Sequence, residues 1–304
     1  MSNKLDEALS YDDVLLIPQY SDIRSRTEVS TATDLGKGLV LNLPIIASPM
    51  DTISESAMAI AIGNAGGTAI IHRYNGIEMQ SRMVSLAQEV SGHKSRAKIN
   101  IGGAVGISGD FIERAQTLLQ SGATFLCIDV AHGHHILMQE AIEKLRMSIG
   151  EDVHIMAGNV ATLEGINDLA DWGADSVRCN IGGGSICSTR VQTGHGVPGL
   201  QTVIDCSKTD RKVTVIADGG IRNSGKEAQV NWRGIYSSYE GVSARVPYRG
   251  SVVKILEDLE RGIRSGLSYS GARSIAEFQS VAKMLRQTSA GMGESKTHIL
   301  GRQW

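Results

Sequence analysis

Aromatic side chains are scarce in this chain. They make up 4% of its 304 residues, whereas glycine occurs 35 times. A core built from small aliphatic side chains fits helices packed closely on a sheet better than it fits a β-sandwich. The length is sufficient for one large domain with a complete hydrophobic core.

Signals of several other protein classes are also lacking. No apolar run approaches the ~18 residues that a membrane span needs, and the polar N-terminal residues of mixed charge do not resemble a signal peptide. The four cysteines show no CxxC pair and no metal-ligand spacing, so we expect a reducing, cytoplasmic environment. The formal net charge of -2 argues against nucleic-acid binding and against a basic membrane-surface protein.

The sequence contains a regular alternation of short apolar runs with helical patterns. The runs lie at 44–51, 68–73, 97–105, 125–130, 154–160, 176–181 and 213–220. They lack a period of two, which indicates strands buried on both faces, as in a parallel sheet. Strand–helix units repeated in this way predict an α/β fold, a TIM (β/α)8-type barrel that lacks one βα unit, rather than a doubly wound sheet.

Several residues, many of them polar, lie at the ends of the runs, where barrel enzymes place their active sites. They are Met50-Asp51, His72-Arg73, Asp129, Gly158-Asn159 and Asp218-Gly219-Gly220, together with the loop after the sixth run. For Asp129 and Asn159 a second interpretation is open, because either side chain can simply cap a helix.

The loop after the sixth run reads Gly182-Gly183-Gly184-Ser185-Ile186-Cys187-Ser188-Thr189-Arg190. Glycines let the backbone adopt positive φ and let a ligand approach closely, and successive N–H groups can bind an anion. Beside such donors and near Arg190, the Cys187 thiol is expected to have a pKa below its ordinary value of about 8.5 and to react as a thiolate. The alternative is a glycine-rich turn with an incidental cysteine.

No eighth apolar run precedes Val252. Residues 226–250 are polar and rich in Gly, Ser and Tyr, which predicts a flap. We expect a single barrel domain over 1–304 that ends in a helical tail, 251–304, with helical patterns at 252–263 and 274–285. Residues 286–304 are expected to be disordered or to become ordered on assembly.

Five ordered motifs between residue 8 and about 225 resemble the IMP dehydrogenase/GMP reductase family. They are Asp12-Asp13-Val14-Leu15-Leu16, Ser48-Pro49-Met50-Asp51-Thr52, Ala157-Gly158-Asn159-Val160, Gly184-Ser185-Ile186-Cys187-Ser188-Thr189-Arg190 and Ala217-Asp218-Gly219-Gly220-Ile221. Between 91 and 98 there is no room for the CBS-pair domain that most IMP dehydrogenases insert. The segment from Glu240 to Gly250 is similar to the flap of GMP reductases. Both features favour the reductase branch.

The resemblance implies a reaction. Cys187 would attack C2 of the GMP purine, ammonia would leave, and hydride from NADPH would give IMP. Thr189 and Glu240 would handle the proton at the departing amine, because an amine leaves poorly unless it is protonated. The alternative within the family is oxidation of IMP to XMP with NAD, in which water hydrolyses the same covalent intermediate.

The resemblance also assigns binding roles. Ser185 and the Gly219 and Gly220 amides would hold the 5′-phosphate, Asp218 the ribose hydroxyls, and Met50 the base. Asp129, Gly182 and Arg73 would lie on the nicotinamide side. The carbonyls of Gly182, Gly184 and Cys187 would bind a monovalent cation, K+, and the protein would form a homotetramer.

Two departures from the family pattern stand out. Arg73 replaces the usual lysine, and arginine cannot lose its proton in a shuttle. The strand–helix unit after Asp218-Gly219-Gly220 is missing, so two strand edges would be unpaired. An internal deletion or splice form, a barrel closed by seven strands or a substitute segment, and a sequence from which residues are absent all remain open. Two further hypotheses are a catalytically impaired nucleotide-binding or assembly subunit, and a barrel enzyme with unrelated chemistry.

Overall fold

The computed structural model describes residues 6–95, 98–184, 187–220 and 250–295. The strands are β1 (Val14–Leu16), β2 (Thr33–Asp34), β3 (Val40–Leu41), β4 (Ile46–Ala47), β5 (Thr68–Ile71), β6 (Ile101–Val105), β7 (Phe125–Asp129), β8 (His154–Val160), β9 (Ser176–Cys179), β10 (Thr214–Ala217) and β11 (Met284–Arg286). The helices are α1 (Ser56–Asn64), α2 (Ile77–Ser95), α3 (Phe111–Gln120), α4 (Ile136–Ile149), α5 (Leu163–Asp171), α6 (Thr189–Thr193), α7 (Gly199–Cys206), α8 (Val252–Tyr269), α9 (Ile275–Val281) and α10 (Ser289–Glu294).

Strands β4 to β10 form one sheet in which each strand pairs in parallel with the next along the chain. Helices α1 to α5 connect successive strands from β4 to β9, and α7 precedes β10. Within the described ranges no eighth strand joins β10 to β4, so these two strands are the sheet edges. The prediction of a (β/α)8-type barrel that lacks one unit is therefore confirmed.

Both faces of the central strands are buried, as their continuous apolar runs predict. Every residue of β5 and of β6 is buried. Ile70, Phe125 and Met156 belong to the cluster inside the curled sheet, while a larger cluster fills the layer between sheet and helices. Gly102 makes room for the Phe125 ring, since a Cβ at position 102 would lie 2.4 Å from two ring carbons.

A short hairpin near the N-terminus, β2–β3, packs against the interior of the sheet. Its buried residues Leu35, Leu39 and Leu41 join the interior cluster. The Thr214 hydroxyl donates to the Leu35 carbonyl oxygen at 3.5 Å, which links the hairpin to the edge strand β10. The weak periodicity of residues 1–40 gave no indication of this hairpin, because each of its strands is only two residues long.

The C-terminal segment packs back onto the barrel. Helix α8 contacts α1 through the buried Leu256, and β11 pairs antiparallel with β1. The second helix of the tail was predicted to reach residue 285 but ends at Val281. The expectation of a disordered tail is wrong for residues 286–295, which contain the end of β11 and helix α10, and residues 296–304 lie outside the described residues. Antiparallel pairing to a distant strand leaves no local signal. The predicted flap lies outside the described residues except for Gly250, and no helix of the described ranges could cross a bilayer.

Candidate active site

Five polar side chains from five strand ends converge at the carboxyl-terminal rim of the sheet. They are Ser48 after β4, Asp129 at the end of β7, Asn159 in β8, Arg178 in β9 and Asp218 after β10. The Ser48 hydroxyl donates to Asp218 Oδ1 at 2.9 Å. This hydrogen bond connects the two edges of the sheet across the position of the missing strand.

Arg178 lies at the centre of this group and pairs with two carboxylates. Its NH2 group donates to Asp218 Oδ2 at 2.9 Å, and its NH1 group donates to Asp129 Oδ1. Burial alone would raise the pKa of Asp218, but the Arg178 charge and hydrogen bonds from Asn159, Ser48 and Arg178 lower that pKa below its ordinary value. Asp218 is therefore a carboxylate at neutral pH.

The two residues with open alternative interpretations do not cap helices. The side chain of His135 caps α4 and that of Thr162 caps α5. Asp129 pairs with Arg178 instead, while Asn159 Nδ2 donates to the Asn180 carbonyl at 3.0 Å and to Asp218 Oδ2 at 2.5 Å. Both residues thus belong to the polar network at the rim.

Cys187 is the half-buried cysteine of the chain, and the other three cysteines are buried. Its thiol donates to Thr189 Oγ1 at 3.2 Å, and its backbone N–H donates to the Gly184 carbonyl at 3.1 Å. Burial raises the pKa of Cys127 to about 12, which makes that thiol unreactive. Cys187 is thus the cysteine whose thiol is both partly accessible to solvent and hydrogen-bonded to a hydroxyl group.

The remaining part of the cysteine loop is held by Arg190. Its guanidinium donates to the Val197 carbonyl at 2.9 Å, and its side chain packs against Gly182 and Gly196, where a Cβ would lie 2.6 Å and 2.7 Å from it. Gly182 has φ +80°, which favours glycine. Arg190 therefore supports the backbone of the loop, a role that the sequence prediction did not consider.

The predicted nicotinamide side of the rim contains Arg73, which follows β5. Its NH2 group donates to the Asp129 carbonyl at 3.2 Å, and its guanidinium lies 5.6 Å from the centre of the Tyr74 ring. Its Nε–H is buried and has no hydrogen-bond partner among the described residues. Arg73 is therefore close to Asp129, and the binding role that the resemblance gives to both residues stays a prediction.

The predicted substrate residues are only partly covered by the structure. Met50 is half buried, directly after Ser48-Pro49, and Gly219 and Gly220 are exposed at the end of β10. Ser185 and Glu240 lie outside the described residues. The structure thus places Met50, Gly219 and Gly220 at the same rim as Cys187 and Thr189, at the ends of different strands.

An open cavity of about 300 Å³ lies along the gap between β4 and β10. Its lining at the rim is polar and includes Ser48, Arg178, Asp218 and Gly219. Its lining towards the interior of the sheet is apolar and includes Leu35 and Ile46. Among the described residues no cluster of three His, Cys, Asp or Glu side chains is arranged to hold a metal ion. The site offers a polar rim above an apolar interior.

Three residues of this site were not identified from the sequence as functional: Ser48, Arg178 and Asn180. Arg178 carried a signal, because a lone arginine within a buried strand requires nearby counter-charges. Ser48 lies in one of the five motifs shared with the family, but the resemblance assigns it no role. Asn180 carried no signal, since its contacts depend on residues that are distant in sequence.

A family model described as the IMP dehydrogenase/GMP reductase domain matches residues 8–230 and 229–298. The chain belongs to the IMP dehydrogenase/GMP reductase family. Members of this family are oxidoreductases that act on purine nucleotides with nicotinamide cofactors. The two matched segments meet at residues 229–230, close to where the sequence lacks a strand–helix unit.

Curated relatives carry both names of the family. An inosine-5′-monophosphate dehydrogenase of Nitrosopumilus maritimus is 28% identical, with 96% of this chain and 98% of the relative covered. A GMP reductase of Leishmania major is 27% identical, with 98% of both chains covered. An inosine-5′-monophosphate dehydrogenase of Borreliella burgdorferi is 31% identical, also with 98% of both covered. Identity alone does not separate the two activities.

Similar solved structures include GMP reductase of Trypanosoma brucei. A cysteine-to-alanine variant of that enzyme in complex with guanosine 5′-monophosphate superposes with a TM-score of 0.88 at 26% identity, covering 98% of this chain and 99% of that chain. The same enzyme in complex with guanosine 5′-triphosphate gives a TM-score of 0.82 at 27% identity, covering 95% and 99%. The barrel fold is therefore shared over almost the whole chain.

Proposed function

We propose that this chain is a GMP reductase, which converts GMP to IMP and ammonia with NADPH through a covalent bond between Cys187 and the purine. The overall reaction balances as GMP, NADPH and a proton giving IMP, NADP+ and ammonia. The observation that carries the proposal is the Cys187 thiol, half buried at the rim and 3.2 Å from the Thr189 hydroxyl. The similarity to GMP reductase structures supports it.

Covalent attack requires the Cys187 proton to leave the sulfur. The Thr189 hydroxyl accepts the thiol hydrogen bond, so it lies where it can pass this proton onward and later donate a hydrogen bond at C2. The C2 amine departs as ammonia only after it gains a proton. Thr189, together with Glu240 on the predicted flap, is proposed to deliver that proton.

The nucleotide is proposed to lie across the rim with its phosphate near Ser185 and the Gly219 and Gly220 amides. Asp218 is proposed to bind the ribose hydroxyls. In the structure its Oδ1 accepts from the Ser48 hydroxyl, and a ribose hydroxyl can take the place of that donor without leaving the carboxylate unpaired. Met50 is proposed to pack against the base.

The cofactor is proposed to bind on the nicotinamide side of the rim, where Arg73, Asp129 and Gly182 would hold it. The buried Nε–H of Arg73, which has no partner among the described residues, fits an acceptor such as a carboxamide oxygen. When bound, NADPH would supply the hydride to C2. The bond between C2 and the Cys187 sulfur would then break, which releases IMP and lets the sulfur take back its proton. Arg73 binds and orients only, because a guanidinium stays protonated.

A monovalent cation, K+, is proposed to bind the carbonyls of Gly182, Gly184 and Cys187. The Gly184 carbonyl accepts the Cys187 N–H at 3.1 Å and keeps a second lone pair for a hard cation. The cation would hold the loop that carries the nucleophile. We also propose that the protein is a cytoplasmic homotetramer.

The proposal is tested by following NADPH consumption with GMP and by identifying IMP and ammonia as products. Cys187→Ala should abolish turnover while leaving GMP binding measurable, because only the nucleophile is removed. Thr209→Ala, far along the chain beyond α7, is the control and should retain activity. Turnover of GMP by Cys187→Ala at the wild-type rate would contradict the covalent route.

The second candidate is an IMP dehydrogenase, which is favoured by the similarity to relatives of that name. It predicts consumption of IMP and NAD+ with formation of XMP, and no NADPH oxidation with GMP. A third outcome is nucleotide binding with neither reaction, which would identify a catalytically impaired or assembly subunit. The two unpaired edge strands of the sheet, β4 and β10, are the observation that favours this alternative.

A further inference from the structure

Asn180, which directly follows β9, lies between the cysteine loop and the turn after β10. Its backbone N–H donates to the Val160 carbonyl at 3.0 Å, and its side chain is buried, with 4% of the residue exposed. Gly183 packs directly on the side-chain amide, since a Cβ there would lie 2.3 Å from Nδ2 and 2.5 Å from Oδ1. A buried amide therefore lies under the glycines that precede Cys187.

The amide nitrogen of Asn180 holds two consecutive carbonyls of the turn. Nδ2 donates to the Asp218 carbonyl at 2.7 Å and to the Gly219 carbonyl at 3.3 Å. A trans peptide is planar, so its C=O and N–H point in opposite directions. The N–H groups of Gly219 and Gly220 consequently point away from Asn180.

These two N–H groups belong to an exposed stretch of backbone. Gly219 and Gly220 are exposed and have φ of +72° and +70°. Neighbouring N–H groups that point the same way form a concave site for an anion. The two hydrogen bonds from Asn180 fix which face of these peptides is presented, because glycine backbone otherwise rotates readily.

The oxygen of the same amide adds a second observation. Asn180 Oδ1 is buried and has no hydrogen-bond partner among the described residues. Buried polar oxygens are normally paired, so this atom is available to an N–H of the adjoining glycine loop. The loop and the turn are already in contact, since a Cβ at Gly220 would lie 2.9 Å from the Gly183 carbonyl oxygen.

We infer that Asn180 is a positioning residue that directs the Gly219 and Gly220 N–H groups at the anionic group of the substrate and holds this turn against the Cys187 loop. The inference rests on the proposed function in taking that group to be the 5′-phosphate of a purine nucleotide. It gives Asn180 a role that acts through the backbone of the turn, to which its side-chain amide donates.

The test compares nucleotides with nucleosides in Asn180→Leu, which keeps the approximate shape and removes the donor without adding charge. Isothermal titration calorimetry gives the affinities for GMP, IMP, guanosine and inosine. We expect the affinity for both nucleotides to fall by about tenfold or more and that for both nucleosides by less than about threefold. Asn64→Leu, a substitution of an exposed asparagine at the end of α1, is the matched control and should change neither.

The ratio of nucleotide to nucleoside affinity separates positioning from general support of the fold. Equal losses for nucleotide and nucleoside, or no loss, would overturn the inference, as would a wild-type protein that binds IMP no more tightly than inosine. If Asn180→Leu does not fold, Asn180→Ala is used. A crystal structure of the wild type with IMP is an independent test that needs no variant. A phosphate bound away from the Gly219 and Gly220 N–H groups would overturn the inference.

The outcome is distinguishable from failure of the proposed function. A wild type that binds IMP through its phosphate but does not turn over GMP would refute the reductase proposal and leave the role of Asn180 measurable with IMP. A wild type that reduces GMP, combined with an unchanged affinity ratio in Asn180→Leu, would support the reductase proposal and refute the role of Asn180.

Discussion

Replacing Arg178 with methionine removes the positive charge that lies between two largely buried carboxylates. The side chain of Arg178 is 7% exposed, and those of Asp129 and Asp218 are 17% and 16% exposed. Removing one member of a buried ion pair costs about 3–5 kcal/mol, because the remaining charge is left in a poorly solvating environment. We expect Arg178→Met to lower the free energy of unfolding by an amount in this range.

The pH dependence of this loss follows from Asp218. In the wild type burial raises the pKa of Asp218, but the Arg178 charge and three hydrogen bonds lower it overall. A carboxyl group with a lowered pKa in the folded state contributes stability above its unfolded pKa, and this stability is lost as the pH falls through the folded pKa. In Arg178→Met the burial effect is no longer balanced by the arginine, so the Asp218 pKa should rise and ionisation should oppose folding.

The difference in unfolding free energy between wild type and variant should therefore be largest near neutral pH. It should shrink as the pH falls through about 4, the unfolded pKa of an aspartate, because the variant no longer has to bury an unpaired charge. Urea unfolding followed by circular dichroism at several pH values measures this difference. A loss of about 3–5 kcal/mol should lower the urea midpoint by about 1 M or more.

Arg211→Met is the matched control. Arg211 pairs with Asp171 and Asp210, but its side chain is 39% exposed, so water and salt screen the pair and its removal should have far less effect. If Arg178→Met lowered stability no more than Arg211→Met, or if its effect did not diminish in acid, the account of a buried charge network at the rim would be wrong.

Two further predictions concern packing and thiol reactivity. Gly102→Ala should lower the free energy of unfolding by about 1–3 kcal/mol, because its Cβ would meet the Phe125 ring at 2.4 Å; Gly76→Ala, with no atom within 4 Å of its Cβ, is the control for the same urea experiment. Iodoacetamide should modify Cys187 first in the native protein, with the three buried cysteines modified only after unfolding. Peptide mass spectrometry checks the order, and early labelling of Cys127 would contradict it.

Much of the fold was predictable because buried parallel strands leave a strong local pattern. The run at 154–160 became β8 with the predicted bounds, and the runs at 68–73 and 125–130 became β5 and β7 with small changes at the ends. These strands are apolar on both faces, so composition alone marks them. The hairpin β2–β3 and the pairing of β1 with β11 were not predicted, because their short segments are stabilised by contacts with distant residues.

The order of amino acids is enough to indicate which chemical groups the barrel carries: the cysteine in its glycine loop, the acidic residue before Gly219-Gly220, and the order of the strands that present them. Those features follow from residue type and from local periodicity. How these groups contact one another depends on the folded chain. Arg178 neutralises two aspartates, Ser48 joins the edges left by the absent strand, and Asn180 orients a backbone turn, because each of these contacts connects separate strand ends that meet only when the sheet curls.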